Sequence, residues 1–289
     1  MVAKTILVGY DHSAGSAGAA RWALDEAART GARVEFLYAW EWPAWTPAAS
    51  LVPGPAVWPD GEADQAIHEM LEAAVADARE SHPGVPVVGR IVHAPAALTL
   101  IDRSARAGLL VLGGQGHSGV AGLIGSVSAA VSAHARCPVV VVRGDPAIGP
   151  VVAGVDDSPT VAAVLAFAFE TASVHDADLH VVHACPGPWD WRRGVRETVS
   201  DPELSAQAVR LDERLAIFRA RYPQVKVTAD VIPEHPAAAL DRAAAGAGLV
   251  VVGSRGRGPV RGVLLGSVSR HLLHRCSASI AIVRAPTGT

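Results

Sequence analysis

The sequence repeats itself at the scale of a whole domain. Ile6-Leu7-Val8-Gly9-Tyr10-Asp11-His12-Ser13 is echoed by Val152-Ala153-Gly154-Val155-Asp156-Asp157-Ser158. Leu110-Val111-Leu112-Gly113-Gly114-Gln115-Gly116 is echoed by Val250-Val251-Val252-Gly253-Ser254-Arg255-Gly256, and Gly125-Ser126-Val127-Ser128 by Gly266-Ser267-Val268-Ser269. Val139 to Arg143 then matches Ile280 to Arg284. The blocks keep their order at nearly constant offsets, so the chain is a duplicated domain rather than a solenoid of short repeats. The expected domains are 1–144 and 150–286, joined by a linker at 145–149 in a stretch holding two prolines and two glycines.

Within each copy, short apolar runs alternate with longer helical patterns, as in βαβ units around a parallel sheet. Strands are expected at 5–9, 33–39, 86–92, 109–113 and 138–142, with helices at 14–30, 62–81, 95–107 and 125–135. The second copy repeats the strands at 150–155, 178–184, 225–232, 249–253 and 279–283, and its third helix starts near Pro236. The strands are apolar throughout, which fits helices on both faces of the sheet. The predicted class is therefore α/β, with two tandem open parallel five-stranded sheets in a Rossmann-like winding. The final strands, Val139–Val142 and Ile280–Val283, are apolar sheet edges that need covering.

Half of the 289 residues are hydrophobic and 18% are charged, which excludes disorder and a coiled coil. A net charge of -3 argues against general attraction to nucleic acid or anionic membrane. No apolar run approaches the ~18 residues of a spanning helix. Cys137, Cys185 and Cys276 form neither a CxxC pair nor an even-numbered framework. With no signal-peptide pattern at Met1–Thr5, the expectation is a soluble cytoplasmic protein.

In a doubly wound sheet, ligands bind beyond the carboxyl ends of the strands, where strand order reverses. Two features converge there: the aspartate after strand one (Asp156, or Asp11), and the glycine-rich loop after strand four with its following Gly-Ser helix start. Gly253 and Gly256 let backbone amides approach a phosphate, while Gly266 and Ser267 open a helix whose unpaired N–H groups favour an anion. Ser267 and Ser269 add hydroxyl donors. Arg255, Arg257 and Arg261 bring positive charge where a Walker loop would use lysine; the chain's only lysines, Lys4 and Lys226, lie outside the loop.

The spacing Gly-x2-Gly-x9-Gly-Ser, the Gly-Val-Asp-Asp-Ser stretch and the closing Val-Arg strand resemble the ATP-binding pattern of the universal stress protein family. The resemblance covers nearly the whole chain, twice. It implies an ATP site, with Mg²⁺ as a companion ion, in which Asp156 meets the ribose or the metal-bound phosphates. Val252, Gly253 and Gly256 would lie along ribose and phosphates, Gly266, Ser267, Val268 and Ser269 would cradle the triphosphate, and the main chain near Ala184 would meet adenine. The first-copy counterparts are Asp11, Ala39, Leu112, Gly113, Gly116, Gly125, Ser126, Val127 and Ser128. Resemblance further implies that the two copies pair through their last strands, with homodimerisation of the whole chain as an additional assembly.

The first copy departs from the pattern. Eight residues, not nine, separate Gly116 from Gly125, and Gln115, His117 and Ala121 replace the three arginines. A deletion just before a helix start is expected to shift that start, so the second site is expected to be the stronger. The expected role is a regulatory nucleotide sensor, not an enzyme. The rivals are an adenylate-forming or ATP-hydrolysing enzyme on the same scaffold and an interaction module that binds cyclic AMP or no nucleotide.

Other chemistry has less support. His180 and His183 are an odd number apart on a strand and so face opposite ways. His271, His274 and Cys276 share a helix end with no carboxylate nearby in sequence. The second glycine of Gly116-His117-Ser118-Gly119 is misplaced for a nucleophile elbow. Trp40, Trp42, Trp45 and Trp58, and Trp189 and Trp191 in the second copy, follow strand two. They read as a lid packed over the strand ends, or as a partner surface or an aromatic wall beside the ligand.

Overall fold

The structure is a computed structural model, and it describes residues 5–40, 61–114, 124–144, 149–187, 189–190, 195–196, 199–256 and 265–285. The first copy runs β1 (Thr5–Gly9), α1 (Ala14–Thr30), β2 (Arg33–Ala39), α2 (Gly61–Ser81), β3 (Val87–Val92), α3 (Ala96–Arg103), β4 (Leu109–Gly113), α4 (Ser126–His134) and β5 (Val139–Val142). The second runs β6 (Val151–Val155), α5 (Val161–His175), β7 (Leu179–Ala184), the short β8 (Trp189–Asp190) and β9 (Val195–Arg196), α6 (Asp201–Arg221), β10 (Val227–Ile232), α7 (Pro236–Ala243), β11 (Leu249–Gly253), α8 (Ser267–Arg275) and β12 (Ser279–Val283).

Each copy forms a parallel five-stranded sheet, and the two merge into one of ten strands, ordered β10-β7-β6-β11-β12-β5-β4-β1-β2-β3. The join is the antiparallel pair β5–β12, with Val141, Val140 and Val139 opposite Ile280, Ala281 and Ile282. These side chains are fully buried, so each copy covers the other's apolar edge. Within each copy, order reverses between the first and fourth strands, at β1/β4 and β6/β11. That reversal opens a crevice at their carboxyl ends.

Helices cover both faces. Trp22, Ala23 and Ala27 of α1, Leu71 and Val75 of α2, Phe169 of α5 and Leu215 of α6 pack on one side. Leu100 of α3, Val131 of α4, Leu240 of α7 and Leu272 of α8 pack on the other. Helix α1 starts at Ser13, whose side chain accepts from the Ser16 amide, and ends at Gly31 in the left-handed region (φ 69°). Helix α3 is shorter than the expected 95–107. After Arg103 the chain tightens into i→i+3 bonds, Ala105 N–H to Asp102 O and Arg106 N–H to Arg103 O, before entering β4.

The copies also clasp each other's helices. Arg143, just past β5, donates from Nη2 to Leu273 O in the last turn of α8. Arg284, just past β12, donates from Nη2 to Ser132 O in the last turn of α4 (2.7 Å). The last carbonyls of a helix lack partners within it and carry the negative end of its dipole, so each arginine caps a helix of the other copy. On the opposite face, His175 of α5 meets Glu26 of α1 at 2.6 Å. Among the described residues, no helix is long and apolar enough to cross a membrane.

Candidate functional site

Both glycine loops are anchored alike. Ser254 N–H donates to Val283 O, and Gly266 N–H donates back to Ser254 O, each at 2.7 Å. In the first copy, Gly114 N–H donates to Val142 O and Gly125 N–H to Gly114 O, each at 2.9 Å. The Ser269 hydroxyl donates to Gly253 O (2.5 Å), and that of Ser128 to Gly113 O (2.7 Å). Both fourth helices therefore begin at the serine after the glycine, Ser126 or Ser267. The expected shift of the first copy's helix start does not occur. The pins on either side of the loop hold that start, and the one-residue difference falls between them, within 115–124 against 255–265. Residues 115–123 and 257–264, which include Gly116, Arg257 and Arg261, lie outside the described residues.

The same bonds assign the donors. Gly266 N–H is engaged by Ser254 O, and Gly266 O accepts the first helical bond from Arg270 N–H (2.9 Å). The amides of Ser267, Val268 and Ser269 are thus left without partners inside the helix, at its positive dipole end. The hydroxyl of Ser269 is committed to Gly253 O, so its proton does not point to a ligand.

The glycines divide by what surrounds them. A Cβ on Gly253 would fall 2.5 Å from Thr160 Oγ1, so this glycine serves the close approach of the α5 N-terminus to β11. A Cβ on Gly266 would meet nothing nearer than 3.5 Å, at Arg255 Cα and Gly256 N, and its φ of -63° suits any residue. Among the described residues, packing does not require glycine there. A Cβ there would make ordinary van der Waals contact with the glycine loop, on the wall of a cavity over the helix start.

That cavity, of about 870 Å³, lies at the carboxyl ends of β6 and β11. Asp156, Ala184, Val252, Gly253, Arg255, Gly256, Gly266, Ser267, Val268 and Ser269 all line it, so the second-copy residues singled out from the sequence come together in one place. Gly154, Val182 and Leu240 add an apolar floor. Asp156 accepts from Ser158 N–H through Oδ1 (3.0 Å), which orients its carboxylate.

Sequence reasoning missed one wall. Glu203, Gln207 and Arg210, one face of α6, line the cavity with His235 and Arg270. The periodicity 203-207-210 marks a helix face but does not say what it faces. Glu203 also closes a capping box, accepting from the Ser200 amide (3.0 Å) and hydroxyl (2.8 Å), and these bonds hold its carboxyl below the usual range. Cys185 lines the cavity as well, and burial pushes its thiol up.

In the first copy, Asp11 accepts from the Ser13 amide and hydroxyl, Leu112 is buried, and Ala39 ends β2. Gly113 abuts the start of α1, its Cβ position 2.5 Å from the carbonyl carbon of Gly15. Gly125, Ser126, Val127 and Ser128 sit at the head of α4. Above these strand ends the Trp40 ring stacks on His93, with centroids 6.2 Å apart, and His93 Nε2 lies 3.1 Å from Asp64 of α2. The second copy has Cys185 where the first has Trp40. Trp42, Trp45, Trp58 and Trp191, and the side chain of Trp189, fall outside the described residues.

The histidines divide as their spacing predicts: His180 pairs with Asp230 (2.8 Å) while His183 is buried. His271, however, does have a carboxylate, Asp241 of α7, at 2.6 Å. The fold brings it in from 30 residues away.

The model of the universal stress protein family matches residues 3–143 and 148–284. Similar relatives include a universal stress protein of Mycobacterium tuberculosis, 34% identical over 297 residues and covering 96% of each chain. Another, from Mycolicibacterium smegmatis, is 35% identical over 292 residues with the same coverage. Among solved structures, a universal stress protein from Archaeoglobus fulgidus superposes with a TM-score of 0.68 at 18% identity, covering 97% of this chain and 96% of that one. One from Pseudomonas aeruginosa gives 0.64 at 16% identity, covering 99% and 94%. These two share the fold. The chain belongs to the universal stress protein family and carries the family's domain twice in tandem.

Proposed function

We propose that this protein is a cytoplasmic ATP-binding regulator, with its principal site in the cavity of the second copy. The observation that carries the reading is Gly266. It is a glycine that neither the packing of the described residues nor the backbone angle requires, placed over three helix-start amides and beside Arg255.

The residues fit the nucleotide. The cavity is of small-molecule size, with an apolar floor and few polar groups, as ligand sites are. The amides of Ser267, Val268 and Ser269, together with Arg255, would receive the phosphates. Asp156 would take the ribose hydroxyls or a phosphate-bound Mg²⁺. Val182, Ala184 and Leu240 would bury the base. The nearby carboxylates, Asp156 and Glu203, already accept hydrogen bonds, and the Ser269 hydroxyl is donated to Gly253 O. This arrangement favours holding a ligand over transferring a proton, so the site reads as a sensor.

The sensor has a route to the other copy. Arg255 lies close enough to Arg284 to help depress the latter's pKa, after burial, and Arg284 caps α4 of the first copy. Phosphates beside Arg255 would relieve that repulsion and strengthen the cap. Equilibrium dialysis of ligand-stripped protein against ATP and Mg²⁺ tests the reading. Saturable binding of one ATP tightly, with a weaker second, is expected; no binding at millimolar ATP overturns it.

A further inference from the structure

A second cleft, of about 560 Å³, lies at the opposite, amino-terminal ends of the first copy's strands. Five arginines line it: Arg33 of β2, Arg90 of β3, Arg103 of α3, Arg106 in the turn before β4 and Arg136 in the turn before β5. Two carboxylates, Glu35 and Asp102, accompany them. The cleft is strongly positive in a chain whose net charge is -3.

We propose that this cleft binds a compact condensed phosphate, a group of two or three linked phosphates. The proposal stands apart from the nucleotide cavity and does not depend on it.

The first argument is the state of the arginines. Glu35 accepts from Arg103 Nη1 (2.8 Å) and lies 3.2 Å from Arg90 Nε, so one carboxylate holds two guanidinium groups in place. Arg33 Nε donates to Thr5 Oγ1 (2.7 Å), which fixes that side chain without neutralising it. Arg106 and Arg136 make no side-chain hydrogen bond or ion pair among the described residues. Gathering like charges in a concave surface is unfavourable until an anion compensates them.

Duplication supplies the second argument. The strand registers match Arg33, Arg90, Arg103, Arg106 and Arg136 to Asp178, Asp230, Ala243, Gly246 and Ser277 in the second copy. There the same end of the sheet is acidic, with Asp178 paired to Lys226 (3.0 Å) and Asp230 to His180 (2.8 Å). The fold forms without a single one of these arginines, so it does not account for them.

Geometry selects the anion. The guanidinium groups converge from five separate elements. A planar carboxylate presents its lone pairs in one plane, whereas tetrahedral phosphates accept bidentate arginine forks from several directions. Three uncompensated positive charges suit a di- or triphosphate group.

The test is calorimetric titration with inorganic tripolyphosphate, on the full chain carrying Gly125→Val and Gly266→Val to remove both copies' nucleotide cradles, in about 150 mM salt so that diffuse attraction is screened. One saturable site per chain is expected. Adding Arg106→Ala and Arg136→Ser, both at exposed positions, is expected to weaken it at least tenfold while thermal unfolding stays unchanged. Absence of saturable binding at millimolar tripolyphosphate overturns the proposal. So does unchanged affinity in the arginine variant, or equal affinity for citrate.

Discussion

The carboxylate of Asp156 rests against the backbone of Gly256: a Cβ at that glycine would lie 2.9 Å from Asp156 Oδ2. The acidic residue after the first strand and the glycine loop after the fourth are therefore parts of one surface. Any side chain at 256 must push the carboxylate aside.

Three glycine variants separate ligand binding from folding. Gly256→Val is expected to displace Asp156 and weaken ATP at least about tenfold, the scale of a lost charged hydrogen bond. Gly266→Ala is expected to fold with a loss of about 1 kcal/mol or less, since alanine is a poor N-cap, yet to bind ATP poorly. Gly253→Ala is expected to lose about 1–3 kcal/mol of stability from overpacking against Thr160. Urea unfolding alongside equilibrium dialysis reads both effects. ATP affinity unchanged in Gly266→Ala would overturn the assigned cradle.

Cysteine reactivity offers a readout needing no labelled nucleotide. Cys137 and Cys276 are buried, and desolvation pushes the Cys137 thiol up to about 12. Cys185 is half-buried and lines the cavity. A disulfide reagent at pH 8 is expected to modify Cys185 alone in the native protein and all three thiols in urea. ATP at ten times its dissociation constant is expected to slow the native reaction about tenfold. Modification at an unchanged rate would place the nucleotide away from β7.

What could be read from the sequence, and what could not, follows from the range of the chemistry involved. The convergence of Asp156, Gly256 and Gly266 on one cavity was legible because each sits at a strand end or helix start marked by a short window of sequence, and duplication shows each window twice. Glu203, Gln207 and Arg210 were not, because the rotation of α6 about its axis is set by Leu211 and Leu215 packing on the sheet. The paired Val-Arg endings were visible as a pattern, but their partners, Leu273 and Ser132, lie 130 and 152 residues away. The length difference between the loops misled for a related reason. The hydrogen bonds that hold the helix start flank the loop and are indifferent to its length.

Those arginines make a stability prediction. Replacing Arg143 and Arg284 together by alanine leaves two helix-end carbonyls at the junction without their charged donors. The expected cost is about 2–4 kcal/mol. Each single variant is expected to loosen one crossing and leave the other. Urea midpoints, with hydrogen exchange at β5 and β12, measure it. Exchange there unaffected in the double variant would show that strand pairing alone holds the copies together.

Acid sensitivity is expected to centre on His183. Its side chain is buried at 3% exposure, and neither ring nitrogen makes a well-formed hydrogen bond among the described residues. Burial pushes its pKa below the ordinary value of 6.5, against the attraction of Asp157, the Val155 backbone and Asp156, while Arg214, paired with Asp157 at 2.8 Å, adds to the depression. A histidine held neutral by the fold binds its proton more readily when unfolded. Between the depressed folded pKa and 6.5 the unfolded chain thus carries more protons, and stability falls as pH drops through that window. The first copy places Tyr38, which is neutral across this range, at the matching position of β2. His183→Phe is accordingly expected to flatten the decline in urea midpoint from pH 7 to pH 5, with little change at pH 8. Should wild type and variant decline in parallel, the acid loss belongs to other groups, and His183 takes up its proton as readily in the folded state as in the unfolded one.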